Sequence, residues 1–199
     1  MDQFSVEIMR LPGSLLGGNQ QKGQTLGAKR TNLGGQDKSE DAIHRRLVAE
    51  HGLDADFTLW SDRRFAAYLA RIEEVRPFDL AREIWQRAAS LGLEQAIVSN
   101  APRGILDANM TRMGLASGAV VVTVSRNEVT RGKPHPDPDL CALARLSLPA
   151  SRAVVVEDSG SGLAAARAAG LPVLLMGPAP GDWTPVAELH RLLSHAPQG

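Results

Sequence analysis

The sequence predicts an α/β protein: a parallel sheet covered on both faces by helices, with a small helical unit ahead of it. From residue 77 onward, strand-like runs alternate with helix-like segments. Those runs are continuously apolar, as strands buried on both faces are. Their carboxyl ends pass into small or polar residues that open the next helix, the position where such sheets hold ligands.

Each element follows in order. Residues 1–33 read as an irregular N-terminal segment. The glycine- and glutamine-rich stretch Gly17-Gly-Asn-Gln-Gln-Lys-Gly-Gln24 shows neither a helical nor a strand period. Residues 34–76 form the helical unit. Ser39 is a candidate N-cap with Glu40 and Asp41 favourable in the first turn. Ile43, Leu47 and Val48 make an apolar stripe, and Gly52 closes that helix. A second helix is expected after Ser61-Asp62, with Phe65, Leu69 and Ile72 on one face. The core, residues 77–199, opens with a helix capped by Asp79, its residues Leu80, Ile84, Ala88 and Leu91 facing inward. Then come a strand at Gln95–Val98, a helix at 103–113, a strand at Ala119–Val124 and a helix at 140–146. A strand at Ala153–Val156, a helix after Gly162, a strand at Pro172–Met176 and a helix around 186–193 complete the pattern.

Composition narrows the function by exclusion. The chain has 199 residues, with 22 basic against 22 acidic ones, which gives no electrostatic case for nucleic acid or an anionic membrane. No apolar run approaches the ~18–20 residues of a membrane span, and the N-terminus lacks the pattern of a signal peptide. A single cysteine, Cys141, excludes an internal disulfide and fits a reducing compartment. The expectation is a cytoplasmic monomer whose partner is a small molecule.

Three strand ends carry chemistry. Ser99-Asn100 follows the first strand and precedes a helix, so a hydroxyl and helix N-terminal N–H groups could hold a phosphate. Arg131-Gly-Lys133-Pro134-His-Pro-Asp-Pro-Asp139 places Lys133 in a proline-stiffened loop, as a point charge able to neutralise a phosphate and a carboxylate together. His135 in the same loop has no partner that would make it an acid or base. Glu157-Asp158 ends the third strand. Adjacent carboxylates there repel unless a cation or a shared proton intervenes, which makes Mg²⁺ the economical explanation; the other reading is a helix N-cap at Asp158 or Ser159 with Glu157 in solvent. Gly160 and Gly162 let the following helix approach closely.

Together, in this order and each after a strand, these motifs resemble the haloacid dehalogenase-like (HAD) hydrolase superfamily, in particular its sugar-phosphatase and β-phosphoglucomutase-type members with a small helical cap. The resemblance runs from about Gly34 to Gly177 and implies a Rossmann-like core under that cap. Ser99 matches the family's phosphate-binding Ser, and Lys133 its Lys in a Gly-Lys-Pro-x-Pro-Asp setting. Glu157 and Asp158 match its acidic metal motif. The implied activity is Mg²⁺-dependent hydrolysis of a small phosphorylated metabolite such as a sugar phosphate. Ser99 and Lys133 would be the catalytic residues, and Ser99, Asn100 and Lys133 would bind substrate. The segment Gly35 to Asp41 resembles the family's turn into the cap and adds Lys38 as a candidate phosphate contact.

One expected part is not found. The family's first strand ends in a DxDx(T/V) motif whose first Asp is the nucleophile, and residues 1–40 hold no apolar strand ending in such a pair. Phe4-Ser-Val-Glu-Ile-Met9 resembles the residues that normally follow the motif, so the chain is expected to begin just after its nucleophile, with the first central strand missing. The alternative is that Phe4–Ile8 is a replacement strand. Losing a central strand forfeits on the order of 10 kcal/mol of apolar burial, comparable to the stability of a whole domain. The chain is therefore expected to fold poorly unless its N-terminal segment fills the slot. Without an attacking carboxylate the expected activity is phosphate binding with little or no transfer, either as an incomplete phosphatase or as a non-catalytic regulatory remnant.

Overall fold

The computed structural model describes residues 7–10, 40–75, 79–115 and 121–176. Its elements are β1 (Glu7–Arg10), α1 (Glu40–His51), α2 (Phe57–Leu69), α3 (Asp79–Ser90), β2 (Gln95–Val98), α4 (Arg103–Met113), β3 (Val121–Val124), α5 (Asp137–Leu146), β4 (Ala153–Glu157), α6 (Gly160–Ala168) and β5 (Val173–Leu175). Lys38, the cap residue Ser39, and the helix expected around 186–193 lie outside the described residues.

The strands form one sheet in the order β3-β2-β1-β4-β5. The pairs β2–β3 and β4–β5 are parallel, as the sequence predicts. The centre differs from the expectation of a missing strand. Glu7–Arg10, inside the segment read as irregular, occupies the slot between β2 and β4 and runs antiparallel to both, with Glu7 opposite Ile97 and Val156. The physical reason is that inner edges of β2 and β4 left unpaired would bury a row of N–H and C=O groups, each costly without a partner. Four residues of extended backbone satisfy both edges in either direction, and they do so without the long apolar run that a sequence reading looks for.

Apolar residues cover both faces. On one, Val98, Val124 and Val155 pack with Ala142, Leu143 and Leu146 of α5 and with Ala166 of α6. On the other, Val154 and Val156 pack with Ile84 and Ala88 of α3, and Ile97 packs with Trp85, Leu106 and Met110. Alternate residues of β4 therefore serve opposite cores, which is why its run is uninterrupted by polar residues.

The two cap helices form where predicted, but both boundaries of the second differ: it ends at Leu69, and Ile72, expected on its face, lies in a separate 3-10 turn, Ile72–Glu74. α2 begins at Phe57 instead of after Ser61-Asp62, because Asp56 is the N-cap and its carboxylate accepts from the Leu59 N–H at 2.9 Å. The cap is fastened to α4. The Tyr68 hydroxyl donates to Asn109 Oδ1 at 2.7 Å, and Gly104 is bare where a Cβ would meet the Phe65 ring at 2.6 Å.

Candidate functional site

The carboxyl ends of β2 and β4 and the loop entering α5 meet at one edge of the sheet. Ser99 leaves β2 buried, its N–H donating to Val124 O at 2.9 Å, while its hydroxyl oxygen accepts from the Ala101 N–H at 3.0 Å. The hydroxyl proton therefore remains for a ligand among the described residues. Asn100 turns across to the neighbouring loop, where its amide bonds both backbone groups of Lys133 at 2.8 Å each.

Lys133 is buried and its ammonium is wired into the strand ends. It donates to Val98 O at 3.0 Å and to Glu157 Oε2 at 2.9 Å. An ammonium has three N–H donors, so one is left for a ligand among the described residues. Glu157 is fully buried and saturated. Its Oε1 accepts from the Asp158 N–H, the Ser159 N–H and the Ser159 hydroxyl at 3.1, 2.9 and 2.8 Å. Ser159 also caps α6, its oxygen accepting from the Gly162 N–H at 3.0 Å. Gly162 is glycine of necessity, because a Cβ there would overlap the Glu157 carboxylate. A buried pair of this kind survives only when the remaining protons and lone pairs are also satisfied, and here Val98 O, Ser159 and two backbone N–H groups supply that.

The structure thus brings together Ser99, Asn100, Lys133 and Glu157, with Asp158 directly after Glu157. It adds two residues the sequence reading did not single out. Asp139 is fully buried in the first turn of α5, and neither of its oxygens has a hydrogen-bond partner among the described residues. Burial pushes its carboxyl up to about 6, Lys133 pulls it back, and Glu157 adds to the rise. The signal was available: Asp139, Ala142, Leu143 and Leu146 fall at i, i+3, i+4 and i+7, so Asp139 starts the buried stripe. Glu128 accepts from the Ser125 N–H and hydroxyl at 2.7 and 2.8 Å, from Arg145 at 2.9 Å and from Arg103. Burial alone would raise its carboxyl, but these donors outweigh that and hold it at about 2. Ser125-x-x-Glu128 is a capping box, legible as such. It braces the loop whose Arg126 N–H donates to Ala101 O at 3.1 Å, behind Ser99.

Among the described residues the acidic pair does not assemble the expected Mg²⁺ site. Both oxygens of Glu157 are committed to Lys133, Ser159 and backbone donors, and among the described residues no group of three or more His, Cys, Asp or Glu side chains could hold a metal. Mg²⁺ asks for six oxygens in near-octahedral array, of which Asp158 would be one. Nor does β1 carry the expected DxDx(T/V) motif. Because that strand runs backward, its carboxyl end, Arg10, pairs with Ala153 at the far end of the sheet, and its first residue, Glu7, is the one opposite Ile97 and Val156. The spelling Asp54-Ala-Asp56-Phe-Thr58 does fit DxDx(T/V), but it follows a helix, and Asp56 is spent capping α2.

A Rossmann-like α/β core with a helical cap and a Ser, Lys and Glu-Asp at successive strand ends defines the class. Residues 39–176 match the family model of the haloacid dehalogenase-like hydrolases. The chain belongs to that family. It is 39% identical over 104 residues to the protein CbbY of Rhodobacter capsulatus, covering 51% of this chain and 44% of that one. With a phosphoglycolate phosphatase of Xanthomonas campestris it shares 30% identity over 158 residues, covering 78% and 68%. The crystal structure of CbbY from Rhodobacter sphaeroides in complex with phosphate superposes with a TM-score of 0.62 at 22% identity, over 71% of this chain and 65% of that one, which shows the shared fold. The chain spans less than half the length of the Rhodobacter capsulatus relative. No helix among the described residues is long and apolar enough to cross a membrane.

Proposed function

We propose that this chain is the phosphate-holding part of a HAD phosphomonoester hydrolase for a small phosphorylated metabolite such as a sugar phosphate. On the residues it carries, it binds phosphate without transferring it. The observation behind this is the buried Lys133–Glu157 pair, 2.9 Å apart, whose ammonium also bonds the carbonyl of Val98, the residue before Ser99. The relatives named phosphoglycolate phosphatase and the phosphate-bound CbbY support the ligand class.

In this reading Lys133 neutralises phosphoryl oxygens while Glu157 keeps the ammonium charged and aimed. Ser99 donates its hydroxyl proton to a second oxygen. The cap, held to α4 by Tyr68 and Asn109, shields the site from water and selects the remainder of the ligand. Lys38 is a further candidate for phosphate contact from the cap side. Asp158 would be one ligand of the Mg²⁺ that the family relationship implies. The binding reading is favoured over turnover because residues 1–40 spell no DxDx(T/V) motif that would supply the attacking carboxylate.

The test is hydrolysis of a generic aryl phosphate with Mg²⁺ by the chain as it stands. Loss of the attacking group costs about 10⁶ in turnover in another hydrolase, so the expected rate is indistinguishable from background. Turnover that Lys133→Ala abolishes would overturn the claim that no nucleophile serves this site.

A further inference from the structure

The side chain of Asn100 sits where a phosphate contact is expected, yet its hydrogen-bonding capacity points elsewhere. Asn100 Oδ1 accepts from the Lys133 N–H and Asn100 Nδ2 donates to Lys133 O, both at 2.8 Å. Those two backbone partners fix which end of the amide is which. The arrangement imitates the paired bonds exchanged between opposed residues of an antiparallel ladder, but it joins a side chain to a loop that has no strand of its own. Two residues earlier, Val98 O accepts from the Lys133 ammonium at 3.0 Å. The end of β2 thus grips Lys133 at both extremities, backbone and tip.

The neighbouring residue has yielded space for this grip. A Cβ on Gly132 would lie 2.5 Å from Asn100 Oδ1 and 2.8 Å from Arg126 Cδ. Its φ is not in the left-handed region, so close approach of the loop to Asn100 is the reason for glycine here.

We propose that Asn100 is a positioning residue that makes no contact with the ligand. It sets the height of the Lys133 backbone above the sheet edge, so that one extended side chain reaches Val98 O and Glu157 together and keeps its third N–H aimed at a bound anion. The consequence for ligand binding rests on the phosphate-site reading above, but the grip on Lys133 does not.

Two readouts separate these claims. The first is acylation of Lys133 by an amine reagent, followed by mass spectrometry and referenced to a free lysine peptide, with folding checked by near-ultraviolet circular dichroism. Lys133 should be protected in the wild-type chain. Asn100→Ala should raise its labelling about tenfold, the factor corresponding to loss of one to two ordinary hydrogen bonds. Asn100→Asp keeps the acceptor for the Lys133 N–H and loses the donor, so it should fall between. Gly132→Ala, which leaves Asn100 in place but crowds it, should shift labelling in the same direction and keeps the test alive if Asn100→Ala fails to fold. The second readout is calorimetric titration with inorganic phosphate. Asn100→Ala should weaken binding about tenfold by the same reckoning, but have no further effect in a Lys133→Met background. Unchanged labelling of Lys133 in both Asn100→Ala and Gly132→Ala would overturn the proposal. An equal loss of phosphate affinity with and without Lys133 would also overturn it, by showing that Asn100 touches the ligand itself. Raised labelling in Asn100→Ala, together with a folded wild-type chain that binds no phosphate, would uphold the positioning role and sink the phosphate reading instead.

Discussion

The two sides of the ligand edge are built differently. At the ends of β2 and β4, side chains from three loops are tied to one another: Lys133 to Val98 O and Glu157, Glu157 to Ser159, Asn100 to the Lys133 backbone. Between them β1 contributes four residues of reversed backbone pairing and sends its carboxyl end to the far end of the sheet. The difference teaches that the two sides are organised by different means: the loop ends maintain one another through side-chain bonds, while the central strand is held by backbone pairing alone.

If the wiring carries the site, cutting it should cost more than disturbing β1. Glu157→Leu leaves the Lys133 ammonium buried without its counter-charge, and urea denaturation should show a loss of about 3–5 kcal/mol. A loss below about 1 kcal/mol, the worth of an exposed pair, would mean that the pair is not formed.

Next in size is a pH dependence centred on Asp139. Burial pushes its carboxyl up to about 6 from the ordinary 3.8, so the folded state binds the proton more tightly. The resulting stability is fully present below about pH 4 and is lost as pH rises through about 6, a change of up to about 3 kcal/mol. Asp139→Asn should flatten this step. Glu128 acts in the opposite sense. Held at about 2 from 4.5, it contributes stability above pH 4.5 that is lost as pH falls towards 2. Unfolding curves from pH 2 to 8 should therefore resolve two windows of opposite slope.

On the other side of the comparison, Ile8→Pro removes one ladder N–H from the central strand and leaves a buried carbonyl unpaired, at about 1–3 kcal/mol. It should lower stability while leaving Lys133 labelling in the folded fraction unchanged. The smallest effect is expected at the cap: Tyr68→Phe deletes the bond to Asn109 and should cost about 1 kcal/mol.

How much of this was legible follows from where each signal resides. The strands β2, β3 and β4 declare themselves by continuous apolar runs, and Ser99, Lys133 and Glu157 stand out because each ends a strand or enters a helix. The pairing of Glu157 with Lys133 was not legible as such. Two adjacent carboxylates look the same in sequence whether a metal or an ammonium compensates one of them. β1 was legible only in part: the alternative of a replacement strand at Phe4–Ile8 overlaps it at Glu7 and Ile8, but Glu7-Ile-Met-Arg10 is short and charged at both ends, and strand direction is set by the edges it must satisfy, which no local pattern records. Asp139 was readable from helix phase, and Glu128 from its capping box.

The most direct test of the central claim is calorimetric titration of inorganic phosphate into the folded wild-type chain and into Lys133→Met. Saturable binding in the wild type that is strongly weakened, yet still measurable, in Lys133→Met is the expected result. A folded wild-type chain that takes up no phosphate, or a Lys133→Met chain that binds it equally well, would contradict the account.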